Sequence, residues 1–332
     1  MSEGISLSIV IPCFNNEKYI IDCLSSIKKS NKVELVIVND GSTDNSLFEI
    51  TKWLNSNKVE HKLINQSNKG LSAARNIGIK ESSGEYVSFL DGDDFVNPSY
   101  INDIIDVIEN NSVDMILFDI SINIDGGLVG IGVGNLKHGD VIKVANISSG
   151  LNEINDLNDL IGIFECGQWY AWCRVYKKEL IDGFCFNEGC SYEDLLLIPF
   201  ITLEAKSVFY LDKPLINYRK RGGSITTTPK SNHIDDLILA IELLSNLSIK
   251  LNDYSKLSRV ISSMVIDTFK LANRISRHLY GSIKYDKRQR NALKKSLSTQ
   301  LKHMKLSLRL KVKFMVISSL LERVKYFFTK KT

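Results

Sequence analysis

The sequence lacks any CxxC pair. Its six cysteines (Cys13, Cys23, Cys166, Cys173, Cys185 and Cys190) and five histidines are scattered along 332 residues. That spacing argues against a zinc site and a disulfide scaffold, and free thiols in a reducing compartment are expected. Proline is scarce at five residues, and no low-complexity tract or internal repeat is present. No uncharged apolar run reaches the roughly 18 residues that span a bilayer. The apolar run 7–11 is too short for a signal-peptide core, and residues 1–4 carry an acid and no base. The expectation is therefore a cytoplasmic protein. What remains is an ordinary globular composition, 44% hydrophobic and 24% charged, enough for one large α/β domain with an appendage.

The formal charge of +4 conceals an asymmetry. Residues 284–332 hold 15 Lys or Arg and two acids, whereas the rest of the chain holds 27 bases and 36 acids. An acidic body with a basic tail expects a negatively charged surface as the tail's partner.

Over the first 120 residues strand and helix signals alternate. The continuous apolar runs 7–11 and 35–38 read as strands covered on both faces. Between them Ile20, Ile21, Leu24 and Ile27 recur at helical spacing, with Asn15 and Asn16 as candidate caps. Ser42 and Thr43 are candidate caps of a second helix. Strands are expected at 61–64, 86–90 and 113–118, and helices at 71–80 and 101–108. This order predicts an α/β fold with a mixed, mostly parallel sheet flanked by helices. The glycine-rich stretch 125–139 has the wrong spacing for a phosphate loop and reads as a hairpin or loop. From residue 233 onward helical periodicity dominates, so a boundary is placed near Pro229: a catalytic domain over 1–228 and an α-helical C-terminal region over 229–332.

Ligands of a parallel sheet collect outside the carboxyl ends of its strands. Three polar clusters fall there: residues 12–16, Asn39-Asp40-Gly41-Ser42 and Asp91-Gly92-Asp93-Asp94. Three carboxylates within four residues repel one another unless they share a cation, and oxygen ligands without His or Cys suit Mg²⁺ or Mn²⁺. A solvated turn is the plainer reading of the same residues.

In order and spacing, Ile9-Val10-Ile11-Pro12, Val38-Asn39-Asp40-Gly41-Ser42-Thr43-Asp44, Asn68-Lys69-Gly70 with Ala74-Arg75-Asn76, and Phe89-Leu90-Asp91-Gly92-Asp93-Asp94 resemble the family 2 glycosyltransferases. The resemblance continues through Trp172-Cys173-Arg174-Val175-Tyr176-Lys177, Glu193-Asp194, Tyr218-Arg219 and Ser224-Ile225-Thr226, covering about residues 5–228. It implies a GT-A fold, an inverting mechanism and a division into a nucleotide-binding half (1–95) and an acceptor half (96–228). It also implies a nucleotide-sugar donor, a UDP-sugar by preference, and a saccharide or lipid-linked acceptor in surface-polysaccharide synthesis.

The resemblance assigns residue roles as well. Asp40 would accept the N3–H of uracil, with Pro12, Asn15 and Glu17 shaping the base pocket. Arg75 would approach the base or diphosphate; as a plainer alternative, a lone arginine on a helix forms a surface ion pair. Asp91 would face the ribose and the metal, Asp93 would ligate the Mn²⁺ or Mg²⁺ ion, and Asp94 would orient the site. Apart from the resemblance, Arg219 and Arg221 read as a second clamp on the diphosphate or as a solvated basic loop. Asp194 would be the base and Glu193 would position the acceptor; as a plainer alternative, both are first-turn acids of a helix. Trp169, Tyr170 and Trp172 read equally as sugar-stacking rings or as core. The segment 305–328 alternates apolar and basic residues, which fits either contact with an anionic membrane or a packed cap with a solvated basic face. No nucleic-acid partner is expected.

Overall fold

The computed structural model describes residues 4–124, 137–220, 228–304, 309 and 312. Arg221, Ser224-Ile225-Thr226, residues 125–136 and nearly all of the amphipathic segment 305–328 lie outside them. The chain divides into two compact units, Met1–Thr227 and Thr228–Thr332.

The first unit opens with β1 (Leu7–Cys13), α1 (Ile20–Ser26), β2 (Val33–Asp40), α2 (Ser46–Ser56), β3 (Glu60–Gln66), α3 (Leu71–Glu81), β4 (Tyr86–Phe89), β5 (Phe95–Val96), α4 (Tyr100–Asn110) and β6 (Met115–Ile124). It continues with β7 (Val141–Ile142), β8 (Gly150–Glu153), α5 (Ile161–Cys166), β9 (Arg174–Lys177), α6 (Lys178–Ile181), α7 (Glu193–Glu204) and β10 (Ser207–Lys220). Every residue of β1 and β2 is buried, as continuous apolar strands with both faces covered require. The flanking helices bury single stripes, as α4 does with Tyr100, Ile101, Ile104 and Val107.

The strands form one sheet in the order β3-β2-β1-β4-β9-β6-β10-β5, with β7 on β6 and β8 on β10. It is mixed and mostly parallel. The ladders β3-β2-β1-β4 and β6-β10 run parallel. Strand β9 is inserted antiparallel between β4 and β6, where simple alternation would have set β6 directly beside β4. The signal for β9 is weak because it is four residues long and begins on a fully buried arginine. Strand β10 breaks register around Pro214, which supplies no ladder N–H, and then pairs with β5. That pairing carries the end of β10 to the Asp91-Gly92-Asp93-Asp94 turn.

The expected helix caps are not the observed ones. Tyr19 and Asn45 occupy the N-cap positions of α1 and α2, and neither side chain caps. Asp44 Oδ1 accepts the Ser46 N–H at 2.9 Å instead. Asn15 and Ser42 are used elsewhere, as described below.

The second unit holds α8 (Asn232–Lys250), α9 (Ser255–Tyr280) and α10 (Lys287–Ser298). Ile234, Leu237, Ile238, Ile241 and Leu244 form the buried stripe of α8. Among the described residues, no helix is long and apolar enough to cross a membrane.

Candidate active site

Two loops leaving the carboxyl edge of the sheet are bonded to each other. Asn15 holds a left-handed φ of 53°, a conformation that asparagine tolerates better than most residues. Its N–H donates to Ser42 Oγ at 3.1 Å, and its Oδ1 accepts from the Thr43 N–H at 2.8 Å. The Asn16 N–H donates to Ser46 Oγ at 2.7 Å. Glu17 completes the seam, donating its N–H to Asp44 Oδ2 and accepting the Asn45 N–H at 3.0 Å. Pro12 lies buried in β1, paired with Val38. Phe14, next to this seam, leaves 44% of its surface exposed. A large apolar ring exposed at a strand's carboxyl end offers a stacking face, and no sequence period marks it.

Asp40 is buried at the end of β2. Its Oδ1 accepts from Gln66 Nε2 at 2.7 Å and Lys69 N at 2.9 Å, and its Oδ2 from Gly70 N at 2.8 Å. The carboxylate thus fixes the β3–α3 loop. Gly41 follows with φ +70°, and a Cβ there would stand 2.6 Å from the Asn68 backbone nitrogen. Gly41→Ala is expected to cost about 2 kcal/mol or more, from strain and a backbone clash together. A lowered midpoint in chemical denaturation checks this, and an unchanged midpoint contradicts it.

The acidic turn follows β4. Asp94 is buried; its Oδ1 accepts the Arg219 N–H at 2.7 Å. Burial, then the neighbouring Asp93 and Asp91 charges, push its carboxyl well above the usual range. Arg219 Nε donates to the Asp93 carbonyl at 3.0 Å, and Nη2 pairs with Asp22 at 3.1 Å. Its guanidinium lies over the Tyr19 and Phe95 rings, 4.9 and 5.2 Å from their centroids. Arg219 therefore ties the acidic turn to β10 and α1. Among the described residues, no three His, Cys, Asp or Glu side chains converge as a metal cluster.

Carboxylate repulsion is relieved here by Arg75. This residue of α3 is 1% exposed. Its Nη1 donates to Glu193 Oε1 and to Asp194 Oδ1, both at 2.8 Å, and its Nη2 to Asp91 Oδ1 at 2.9 Å. The rings of Phe186 and Phe89 lie 5.4 and 5.8 Å from its guanidinium carbon. Burial alone would disfavour the charge, yet Asp194, Asp91 and Glu193 together hold the guanidinium firmly protonated.

One cation cannot neutralise three carboxylates, of which Glu193 is buried and Asp91 and Asp194 are half-buried. Burial, offset in part by Arg75 and reinforced by the Glu193 and Asp91 charges, pushes the Asp194 carboxyl up to about 7. Its Oδ2 also accepts the Ala171 N–H at 3.1 Å. Glu193 and Asp194 open α7 as first-turn acids, a position compatible with the site reading. The residue before them, Tyr192, adopts a left-handed φ of 60°. Asn76, beside Arg75, grips the approach to α7 through paired bonds to Phe186, to its carbonyl at 2.9 Å and from its N–H at 2.8 Å. The sequence reading gave Asn76 and Phe186 no role, because a contact 110 residues apart leaves no local pattern.

The three candidate rings divide. Trp169 is buried edge-on against Phe164 at 4.8 Å, and Trp172 is buried too, so both belong to the core. Tyr170 is half-buried and stacks on Trp172 at 4.8 Å. Arg174 is fully buried and donates to the carbonyls of Gln168 at 2.6 Å and Tyr170 at 2.8 Å, shaping that loop.

A mixed, mostly parallel sheet carrying an acidic turn after β4, facing acids at a helix start, defines a GT-A-type glycosyltransferase. Glycosyl transferase family 2 matches residues 8–175, and the chain belongs to that family. Glycosyltransferase GlyA of Streptococcus pneumoniae is 32% identical over 258 residues, which are 75% of this chain and 36% of GlyA. The chain thus spans only about a third of that relative's length. Glycosyltransferase GlyG of the same species is 29% identical over 76% of this chain and 81% of its own. Residues 1–349 of Staphylococcus aureus TarS, solved with UDP-GlcNAc, share the fold at a TM-score of 0.69 and 21% identity, over 95% of this chain and 88% of that one.

Proposed function

We propose that this protein is an inverting, divalent-metal-dependent glycosyltransferase that moves a sugar from a UDP-sugar to a hydroxyl of a saccharide or lipid-linked acceptor, in surface-polysaccharide assembly at the inner face of the cell membrane. One observation carries the reading: Arg75 gathers Asp91, from the turn after β4, and Glu193 and Asp194, from the start of α7, around one guanidinium. This joins the expected nucleotide half, 1–95, to the expected acceptor half, 96–228. The TarS fragment that shares the fold was captured with UDP-GlcNAc, which favours uridine in the donor.

In this reading Asp40 accepts the uracil N3–H. Its Oδ2 receives a single bond among the described contacts, and a carboxylate oxygen accommodates two. Phe14 supplies a stacking face. Pro12, Asn15 and Glu17 hold the seam that shapes the pocket. The acidic turn fits a hard cation: Asp93 and Asp91 offer only oxygen, and an ion held by one or two carboxylates keeps positions for diphosphate oxygens. Bound there, Mn²⁺ or Mg²⁺ would stabilise the charge growing on the leaving diphosphate. Arg219 contributes through the turn it anchors, since its Nε holds the Asp93 carbonyl.

Inversion takes one displacement. The acceptor oxygen bonds to the anomeric carbon as the bond to the β-phosphate oxygen breaks, and the hydroxyl proton passes to Asp194. A base with a pKa near the operating pH suits that step. With its carboxyl pushed up to about 7, Asp194 is protonated below that pH and competent above it. Acceptor-dependent UDP release, measured from pH 5 to 9 at saturating donor, is therefore expected to rise with an apparent pKa of about 7. A rate that stays flat from pH 5 to 9 would remove Asp194 as base. If no sugar nucleotide releases its diphosphate with any acceptor, a non-catalytic sugar-nucleotide-binding subunit takes the place of the enzyme.

A further inference from the structure

We propose that the turn joining α9 to α10 is a docking surface for an anionic lipid bilayer. Two apolar side chains stand out at this turn: Tyr280 is 43% exposed and Ile283 is 41% exposed. Exposed apolar side chains are ordinary on a protein surface, and it is the basic setting of this pair that points to a partner.

The turn is built rather than loose. Gly281, at φ +71°, ends α9 and donates its N–H to the Arg277 carbonyl. Ser276 Oγ accepts the Lys284 N–H at 2.8 Å and donates to the Lys284 carbonyl at 2.9 Å. Tyr285 is buried and donates its hydroxyl to Asn273 Oδ1 at 3.0 Å. Asp286 then caps α10 reciprocally with Gln289. These bonds anchor both ends and leave residues 280–283 as an exposed knuckle between them.

The surroundings are strongly basic. Residues 274–295 contain eight Lys or Arg and a single acid, Asp286, which is engaged as the helix cap. Arg277, Lys284 and Lys287 are exposed on either side of the knuckle. Arg288 pairs with Asp235 and is not counted on. Tyrosine with an aliphatic neighbour, ringed by lysine and arginine, matches a membrane interface: apolar groups enter the headgroup layer and cations meet lipid phosphates. A nucleic acid would use the cations but would give Ile283 no apolar medium. This surface lies in residues 228–304, and no described residue of the proposed catalytic site is part of it. It deepens the membrane-face reading by naming the contact, and it is independent of the transferase reading.

The test is flotation of the full-length protein with vesicles of equal parts phosphatidylglycerol and phosphatidylcholine, against vesicles of phosphatidylcholine alone. The wild type is expected to bind the anionic vesicles only. The double variants Tyr280→Ser/Ile283→Ser and Lys284→Glu/Lys287→Glu are each expected to lose binding by about tenfold or more while melting cooperatively. A tail variant, Lys311→Gln/Lys313→Gln, is expected to keep most of it. Three results would overturn the proposal: no binding by the wild type, unchanged binding in both turn variants, or loss confined to the tail variant. Capture of duplex DNA instead of vesicles through Lys284 and Lys287 would do the same. UDP binding, measured in parallel, reports on the donor site separately, so failure at the bilayer leaves the transferase reading standing.

Discussion

The Asp194→Asn variant is expected to lose sugar transfer by about 10²- to 10⁴-fold in kcat, with UDP affinity kept within a few-fold. The isosteric amide occupies the same space and its one oxygen keeps the bond from Arg75, at the cost of the bond from the Ala171 N–H, so the site keeps its outline and loses its proton acceptor. The stability consequence has the opposite sign. A carboxyl raised to about 7 in the fold stabilises it below its ordinary value near 4, and that contribution is lost as pH rises through 7. The asparagine variant escapes the loss, and at pH 8 it is expected to unfold at or above the wild-type denaturant midpoint. A variant that lost UDP binding as well would show Asp194 to be architectural.

Arg75→Met is expected to be the most damaging single change. The arginine is buried and serves three carboxylates, at 2.8, 2.8 and 2.9 Å. Removing one partner of a buried ionic set leaves uncompensated charge, at a cost of about 3–5 kcal/mol. The cost depends on pH. The guanidinium lowers the Asp194 carboxyl, so without it Asp194 holds its proton to higher pH and the variant recovers part of its stability in acid. The gap between wild-type and variant denaturation midpoints is expected to widen from pH 5 to pH 8. Arg75→Lys should rescue little, because a single ammonium cannot reproduce the fork that reaches both Asp91 and the α7 acids. A gap that stays constant with pH would contradict the ionic account of this cluster.

The sequence reading and the structure part company where contacts are distant. Strands β1 and β2 were legible because apolar residues run unbroken when both faces are buried. The parallel start of the sheet followed from strand and helix alternation. The insertion of β9 did not, since Arg174–Lys177 carries two basic residues and too few positions to show a period. Local capping was misread for a related reason. Asn15 looks like a cap, yet its left-handed backbone turns the side chain toward Thr43 across the seam, and Asp44 supplies the bond to Ser46.

The site residues were named from short motifs, but their wiring was not. Three acids in one turn implied a shared cation. The structure relieves the repulsion in two other ways, by pairing Asp91 with Arg75 and by burying Asp94 with its carboxyl raised. Neither excludes an ion on Asp93. No periodicity connects residue 75 to residue 194, so one guanidinium bridging both expected halves of the domain became visible only in three dimensions. The roles of Trp169 and Trp172 were undecidable from composition, because an aromatic ring is equally at home in a core and against a sugar.

The central claim is a metal-dependent donor site at the carboxyl edge of the sheet. Calorimetric titration with UDP, with and without Mn²⁺, on the wild type and on Asp93→Ala tests it most directly. The account predicts binding that requires the metal and is lost in the variant. UDP binding that is indifferent to both Mn²⁺ and Asp93, or no binding of any nucleoside diphosphate, would contradict it.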